Sequence, residues 1–283
     1  MVTRRGLGLV SALLLLIASG ASAQQLYISN EPQSSIQLLN LNTAPPTLTT
    51  LYTVGAELDD LTINAAGQLL YSVPSLGNVG LYDPSTGANT ILVSGLKYAR
   101  DLAVEPGGQS MLIAIATPGN IVRFNFATGT TTTLVKKLKT CDGIAYDPYG
   151  NLYAVANHNT IVQLNPVTGA ILNTLVLEPH KGINGGDGMT YDPFTGSLWV
   201  THDGTTGGGL IQIPVTAAGL PTTFTFFPLA GIKAPDGIKS DGKGNLYIGA
   251  IWTVVVYNIP TNTVTKNIVV KGADGVALVP GTY

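Results

Sequence analysis

Short runs of alternating apolar and polar residues fill the chain from residue 24 onward, and turn residues separate them. The stretch after Cys141 is the clearest case. It predicts four consecutive strands, at Asp142–Tyr146, Asn151–Ala156, Ile161–Asn165 and Ala170–Val176. Turn signals divide these strands, for example Asp147-Pro148-Tyr149-Gly150. Period-two alternation, β-branched residues and Gly/Pro punctuation are together typical of short antiparallel strands.

The same unit recurs six times, and an aspartate marks the start of its first strand. The aligned copies are Leu58-Asp59-Asp60-Leu61, Arg100-Asp101-Leu102, Cys141-Asp142-Gly143, Gly186-Asp187-Gly188, Pro235-Asp236-Gly237 and Ala273-Asp274-Gly275. The aligned aspartates are 41, 41, 45, 49 and 38 residues apart. A period of this length with several short strands per unit predicts a β-propeller.

The two ends of the chain complement each other. The last repeat supplies only an inner strand, Asp274–Val279, whereas Leu26–Ser29, Ser35–Leu41 and Thr47–Val54 read as second, third and outer strands. Joining them closes the ring and removes two exposed sheet edges. We therefore predict an all-β, six-bladed β-propeller of four-stranded antiparallel blades, as one domain over residues 24–283. The signature of WD40 repeats is absent, and the period falls short of kelch.

The first 23 residues have the plan of a secretory signal. Arg4 and Arg5 precede an apolar run from Leu7 to Ala18, and Ala21-Ser22-Ala23 forms a small-residue cleavage site. The run is too short to span a bilayer comfortably, and nothing later resembles a membrane helix. We expect a secreted or periplasmic protein, with the choice between Sec and twin-arginine export left open.

Charge and cysteine content narrow the class of partner. The chain has 14 basic and 16 acidic residues, and loss of residues 1–23 removes two arginines, which leaves a net charge near −4. Such a balance argues against nucleic acid, whose phosphates select for a basic face. The single cysteine, Cys141, has no partner for an internal disulfide, and we expect it to be a small buried residue. A monomer is expected.

The direction of the strands places the candidate chemistry on one face. Loops that enter inner strands share this top face with loops that join second and third strands, and the six aspartates lie there at the channel mouth. The same loops contain five lysines and all three histidines: Lys97, Lys139, Lys181, Lys233, Lys271, His158, His180 and His202. Either the lysines pair with aspartates to fix the loops, or the two sets form a cleft for a metal and an anionic ligand.

The repeat pattern, and Pro235-Asp236-Gly237 in particular, resembles NHL-type propellers and, more narrowly, the senescence-marker-protein/gluconolactonase family of six-bladed propellers. This resemblance implies a divalent cation, often calcium, held in the channel by Asp60, Asp142, Asp187 and Asp236. The Gly-Glu-Ser-Pro stretch and the two Asn ligands of that family are missing here. An aspartate in every blade also fits a structural role, in which each carboxylate accepts backbone N–H bonds.

Two functions follow as hypotheses, and a purely structural exported protein is a third. The first is a metal-dependent lactonase or esterase, in which the cation polarises the ester carbonyl and activates a water molecule. Asp187, His180 or His202 would be its general base. Four further residues would contact a lactone, ester or sugar-like ligand: Lys181, Tyr98, Trp252 and His158. The second is a non-enzymatic propeller that binds a small molecule or an extracellular protein on its top face.

Overall fold

The computed structural model describes residues 24–177, 182–183, 185–204 and 207–283. Every regular element in these ranges is a β-strand, and the strands form six four-stranded antiparallel sheets. The predicted six-bladed propeller is therefore confirmed. The predicted secretory signal, residues 1–23, lies outside the described residues.

Each blade runs from an inner strand beside the channel to an outer strand at the rim. Three strands near the amino terminus belong to the sixth blade: β1 (Gln25–Asn30), β2 (Ser35–Asn40) and β3 (Thr47–Thr53). The first blade contains β4 (Leu61–Ile63), β5 (Leu69–Val73), β6 (Asn78–Tyr82) and β7 (Asn89–Val93). The second contains β8 (Ala99–Val104), β9 (Ser110–Ile115), β10 (Asn120–Asn125) and β11 (Thr130–Val135).

The remaining blades follow the same order along the chain. The third contains β12 (Cys141–Tyr146), β13 (Leu152–Ala156), β14 (Thr160–Leu164) and β15 (Ile171–Val176). The fourth contains β16 (Gly186–Asp192), β17 (Ser197–His202), β18 (Gly209–Pro214) and β19 (Thr225–Pro228). The fifth contains β20 (Pro235–Ser240), β21 (Asn245–Ala250), β22 (Thr253–Asn258) and β23 (Thr263–Val269), and β24 (Ala273–Leu278) completes the sixth.

The ring closes through a pairing between the two ends of the domain. Strand β24 is the inner strand of the sixth blade and pairs antiparallel with β1, in a register that sets Leu26 opposite Leu278 and Ile28 opposite Val276. Both strands therefore gain a partner, and neither is left as an open edge. This is the closure that the sequence predicts.

The core lies between neighbouring blades, where the faces of their sheets pack together. Tyr153 and Val155 of the third blade pack against Leu198 and Val200 of the fourth, and all four side chains are fully buried. Each such side chain contributes roughly 1.5–3 kcal/mol by leaving water. The alternation of apolar residues along second and third strands thus determines how the blades stack.

Close approach between inner strands explains why glycine follows the repeat aspartate in four blades. A Cβ atom on Gly143 would lie 2.3 Å from the carbonyl oxygen of Asp187, and one on Gly188 would lie 2.5 Å from that of Asp236. Blades one and two have Leu61 and Leu102 instead, and both are buried. The Asp-Gly pairs are thus required by the packing of the ring around its channel.

Candidate functional site

The repeat aspartates meet at the top of the channel, as the strand order predicts. Asp59, Asp60, Asp101 and Asp142 are buried, and the remaining three are partly buried. We call this set the aspartate cluster: Asp59, Asp60, Asp101, Asp142, Asp187, Asp236 and Asp274. Six of its members line a small cavity. The centre of a water molecule can move through only about 10 Å³ of it. That is on the order of one water molecule.

Arg100 places a guanidinium among these carboxylates. Its Nη1 lies 2.7 Å from Oδ2 of Asp59, the acid at the equivalent position of the preceding blade. Attraction to Asp59 first, and then to Asp187, Asp236 and Asp142, raises the pKa of Arg100 above its usual value, although burial opposes the shift. Arg100 therefore stays charged and compensates the upper part of the aspartate cluster.

Lys239 brings a second positive charge to the cluster from below. It leaves the inner strand of the fifth blade, and its Nζ lies 3.5 Å from Oδ2 of Asp60 and 3.9 Å from Oδ1 of Asp101. Burial alone would lower the pKa of this ammonium, but the two carboxylates raise it above its usual value. Lys239 is therefore a charged group in the middle of the channel.

Two cations are too few to neutralise seven acids, and the pKa values of the acids reflect this. Burial, together with repulsion between the carboxylates, raises the pKa of Asp101, Asp187 and Asp274 well above the usual range. Asp236 and Asp274 also share a hydrogen bond between their carboxyl groups. Carboxyls this close titrate as a set, so the cluster holds protons at a pH where isolated aspartates have lost them.

Part of the cluster has the structural role that the repeat predicts. Asp101 accepts backbone N–H bonds from Ile144 of the next blade at 2.7 Å and from Leu102 at 2.8 Å. Asp60 accepts a longer bond from the backbone of Leu102 at 3.4 Å. Asp60 therefore joins the inner strands of the first and second blades, and Asp101 joins those of the second and third.

The predicted histidine ligands separate into two environments. His158 is 54 % exposed in its side chain, and its Nδ1 lies 3.3 Å from Oδ2 of Asp142 at the rim of the cluster. His202 is completely buried, with Nε2 2.9 Å from the carbonyl oxygen of Gly182 and its ring against Phe226. His202 therefore holds two parts of the fourth blade together. Two other predicted residues, His180 and Lys181, lie outside the described residues.

The carboxylates implied as metal ligands fit a divalent ion poorly. Asp60 already contacts Lys239, and Asp236 shares its hydrogen bond with Asp274. Within the described residues, no group of three His, Cys, Asp or Glu side chains is arranged to hold a metal ion. Arg100 and Lys239 would also repel a dication in the same cavity. Calcium binding by Asp60, Asp142, Asp187 and Asp236 therefore stays a prediction.

The top-face loops around the cluster expose large apolar side chains. Tyr98 and Trp252 are 53 % and 52 % exposed, and Leu76 and Ile251 are similarly accessible. The ammonium of Lys271 lies 5.6 Å from the centre of the Trp252 ring. The two kinds of top loop are joined by backbone hydrogen bonds, for example from Tyr98 to the carbonyl of Pro74 at 3.0 Å. These aromatic groups are therefore held on ordered loops.

The top-loop lysines do not pair with the aspartates in the described part of the chain. Lys97, Lys139, Lys233 and Lys271 are exposed, and the cations that contact the cluster are instead Arg100, Lys239 and, when protonated, His158. Sequence reasoning missed the first two. A signal was present, because Arg100 and Lys239 are charged at inner-strand positions where most other repeats have small or apolar residues.

A larger chamber opens from the bottom of the channel, below Lys239. Its two connected parts have volumes of about 360 and 200 Å³, and they share Thr62, Ile63, Thr190 and Lys239. Residues of all six inner strands form its wall, and the exposed lining is mixed, with somewhat more polar than apolar surface. Lys239 also lines the small upper cavity, so it separates the aspartate cluster from this chamber.

Solved structures share this fold across most of the chain at low sequence identity. A chain of a nidogen/laminin complex has a TM-score of 0.73 at 17 % identity, covering 90 % of this chain and 98 % of that one. Virginiamycin B lyase from Staphylococcus aureus has a TM-score of 0.63 at 18 % identity, covering 89 % and 84 %. Hydrazine synthase of Kuenenia stuttgartiensis gives 0.68 at 14 %, covering 96 % and 94 %.

These similarities establish the propeller fold. No family model and no curated protein matches the chain. The narrower resemblance to the NHL and gluconolactonase families therefore stays a prediction. No helix in the described residues is long and apolar enough to cross a membrane.

Proposed function

We propose that this protein is a non-enzymatic binding propeller whose top face binds a protein partner. One observation carries the proposal: the top of the channel is closed by a cluster of seven carboxyl groups and two cations with space for about one water molecule. A substrate needs a pocket of hundreds of cubic ångströms. The upper channel does not offer that space, so the accessible chemistry of the top face lies on its rim.

The rim has the composition of a protein-binding surface. Tyr98 and Trp252 are exposed aromatic groups on loops held by backbone hydrogen bonds, and aromatic residues are enriched where proteins bind each other. Exposed lysines surround them, which favours a partner with an acidic contact surface. The fold similarity to a chain of a nidogen/laminin complex is consistent with this use of a propeller.

Metal-dependent hydrolysis of a lactone or ester is the competing hypothesis, and one observation favours it. Oδ2 of Asp142 is buried and makes no hydrogen bond among the described atoms, although His158 lies 3.3 Å away. A buried carboxylate oxygen of this kind is suited to bind an added cation or to take up a proton. The fold is also shared by lyases, but fold alone does not determine function.

Site-specific photocrosslinking tests the binding proposal directly. A benzophenone amino acid would replace Tyr98 or Trp252 on the top face, and in a matched control it would replace Tyr149, an exposed residue of the bottom face. After irradiation in the source organism, we expect a discrete crosslinked species from the two top positions only. Crosslinks from Tyr149 alone would contradict the proposal.

An activity assay separates the two hypotheses. Purified protein would be mixed with lactones and aryl esters in the presence of calcium, magnesium or a chelator. We expect no hydrolysis above the background rate in any condition. Metal-dependent turnover that disappears in Asp236→Asn would establish the hydrolase instead.

A further inference from the structure

The chamber at the bottom of the channel is separate from both the aspartate cluster and the top rim. The ends of all six inner strands form its wall, and Lys239 forms its roof. We propose that this chamber binds a small, neutral molecule that carries a carbonyl or ether oxygen, and that Lys239 donates a hydrogen bond to that oxygen.

The size and lining of the chamber suit a small molecule. Its larger part alone is about 360 Å³, within the range of small-molecule pockets, which are mostly apolar with a few polar groups. The lining here is mixed, with somewhat more polar than apolar surface exposed, because Leu102, Ile144 and Met189 are buried in the core between blades. A ligand that has both polar and apolar atoms would match this lining.

Lys239 has a donor available for a ligand. An ammonium has three N–H groups, and the nearest carboxylate oxygens of Asp60 and Asp101 are 3.5 and 3.9 Å away. Both distances exceed the usual 2.7–3.2 Å of an N–H···O bond. The lysine lines the chamber as well as the cluster, so an acceptor that enters from below can bind it more closely.

The charges above the chamber select a neutral ligand over an anion. The cluster contains seven carboxyl groups against two cations, Arg100 and Lys239. An anion at Lys239 would lie within a few ångströms of Asp60 and Asp101 and would be repelled by them. A carbonyl or ether oxygen accepts the same hydrogen bond without adding negative charge.

The fluorescent naphthyl ketone prodan is a suitable probe, because it is neutral and carries one carbonyl group. We expect it to bind the purified protein with one-to-one stoichiometry and a blue-shifted emission. Acetophenone should displace it, whereas benzoate, which has the same ring with a carboxylate, should require a concentration higher by about tenfold or more.

Three variants locate the binding. Thr190→Trp fills the chamber and should weaken prodan binding by about tenfold or more; Thr62→Trp repeats the test from another strand. Lys239→Met removes the donor while keeping much of the side-chain length, and should lower the affinity and shift the emission. Tyr98→Ala, on the opposite face, should leave binding unchanged. Circular dichroism and thermal unfolding verify that each variant is folded.

Three results would overturn the proposal. These are no prodan binding, binding that folded Thr190→Trp and Thr62→Trp both leave intact, or benzoate that competes as well as acetophenone. None of them bears on the top-face crosslinks, so this proposal and the proposed function can fail separately.

Discussion

At the residue scale, the channel depends on two cations that the repeat itself does not specify. Arg100 and Asp59 occupy the position before the aligned aspartate in neighbouring blades, and they pair at 2.7 Å. Lys239 contacts Asp60 although 179 residues separate them along the chain. Both cations lie among carboxyl groups whose pKa values are raised. A single substitution of either cation therefore changes the net charge of the whole cluster.

Substitution of Arg100 tests the first pair. Arg100→Ala leaves Asp59 buried without its cation, and we expect the free energy of unfolding to fall by about 1–3 kcal/mol. The double variant Asp59→Ala/Arg100→Ala should recover part of that loss, because no unpaired charge remains. Lys97→Ala, an exposed neighbour, should change stability by about 0.5 kcal/mol or less. Urea unfolding measures all three, and a double variant less stable than Arg100→Ala would contradict this account.

The raised pKa of Asp187 predicts a pH dependence. A carboxyl with a folded-state pKa above its unfolded value favours folding at low pH, and this contribution is lost as the pH rises through the folded pKa. The protein should therefore melt at a higher temperature near about pH 5 than near about pH 8. Asp187→Asn should be more stable than wild type at the higher pH and should vary less with pH.

A surface aspartate provides the control for this measurement. Hydrogen bonds from Ser85 hold the pKa of Asp83 below its usual value. Asp83→Asn should therefore change stability equally at both pH values and leave the slope as in wild type. An Asp187→Asn protein with the wild-type slope would show that Asp187 is ionised at both pH values.

At the element scale, the inner strand explains both what the sequence predicts and what it misses. Its Asp-Gly pair is visible as a repeat because the ring imposes the same close contact in blade after blade, as at Gly143 and Gly188. Strand bounds therefore agree with prediction to within one or two residues. The roles of Arg100 and Lys239 depend on partners in other blades, so local pattern alone could not identify them.

A glycine substitution tests the close contact. Gly143→Ala would place a Cβ atom 2.3 Å from the carbonyl oxygen of Asp187, and we expect a loss of about 3 kcal/mol. Gly150→Ala measures backbone strain without a contact, because Gly150 has a φ of 84° and no atom lies within 4 Å of the added Cβ. It should cost only about 1–2 kcal/mol of backbone strain. A loss at Gly143 no larger than that at Gly150 would contradict the expected contact, because Gly143 itself does not have the left-handed conformation that favours glycine.

At the scale of the whole molecule, the channel has two unlike ends. A compact cluster of carboxyl groups with two cations closes the top, and a larger chamber with a mixed polar and apolar lining opens at the bottom. Six repeats predict the ring and place the aspartates at one mouth. They do not predict the chamber, because its wall combines residues from the far ends of all six inner strands.

Ring closure by β24 has a direct test. Deletion of residues 273–283 removes this strand and leaves β1 as an unpaired edge, so we expect cooperative unfolding to be lost and aggregation to increase. Deletion of residues 280–283 is the control, because it spares β24. Circular dichroism and light scattering compare the two, and a cooperative transition in the longer deletion would contradict the expected role.

The pairing of β24 with β1 also sets a schedule for biosynthesis. The strands nearest the amino terminus leave the ribosome first, yet their inner partner is among the last residues made. At roughly 5–20 residues per second, the interval is on the order of tens of seconds. During that time β1 presents an unsatisfied backbone edge to the cell, so the nascent chain is the form of this protein that most needs a chaperone.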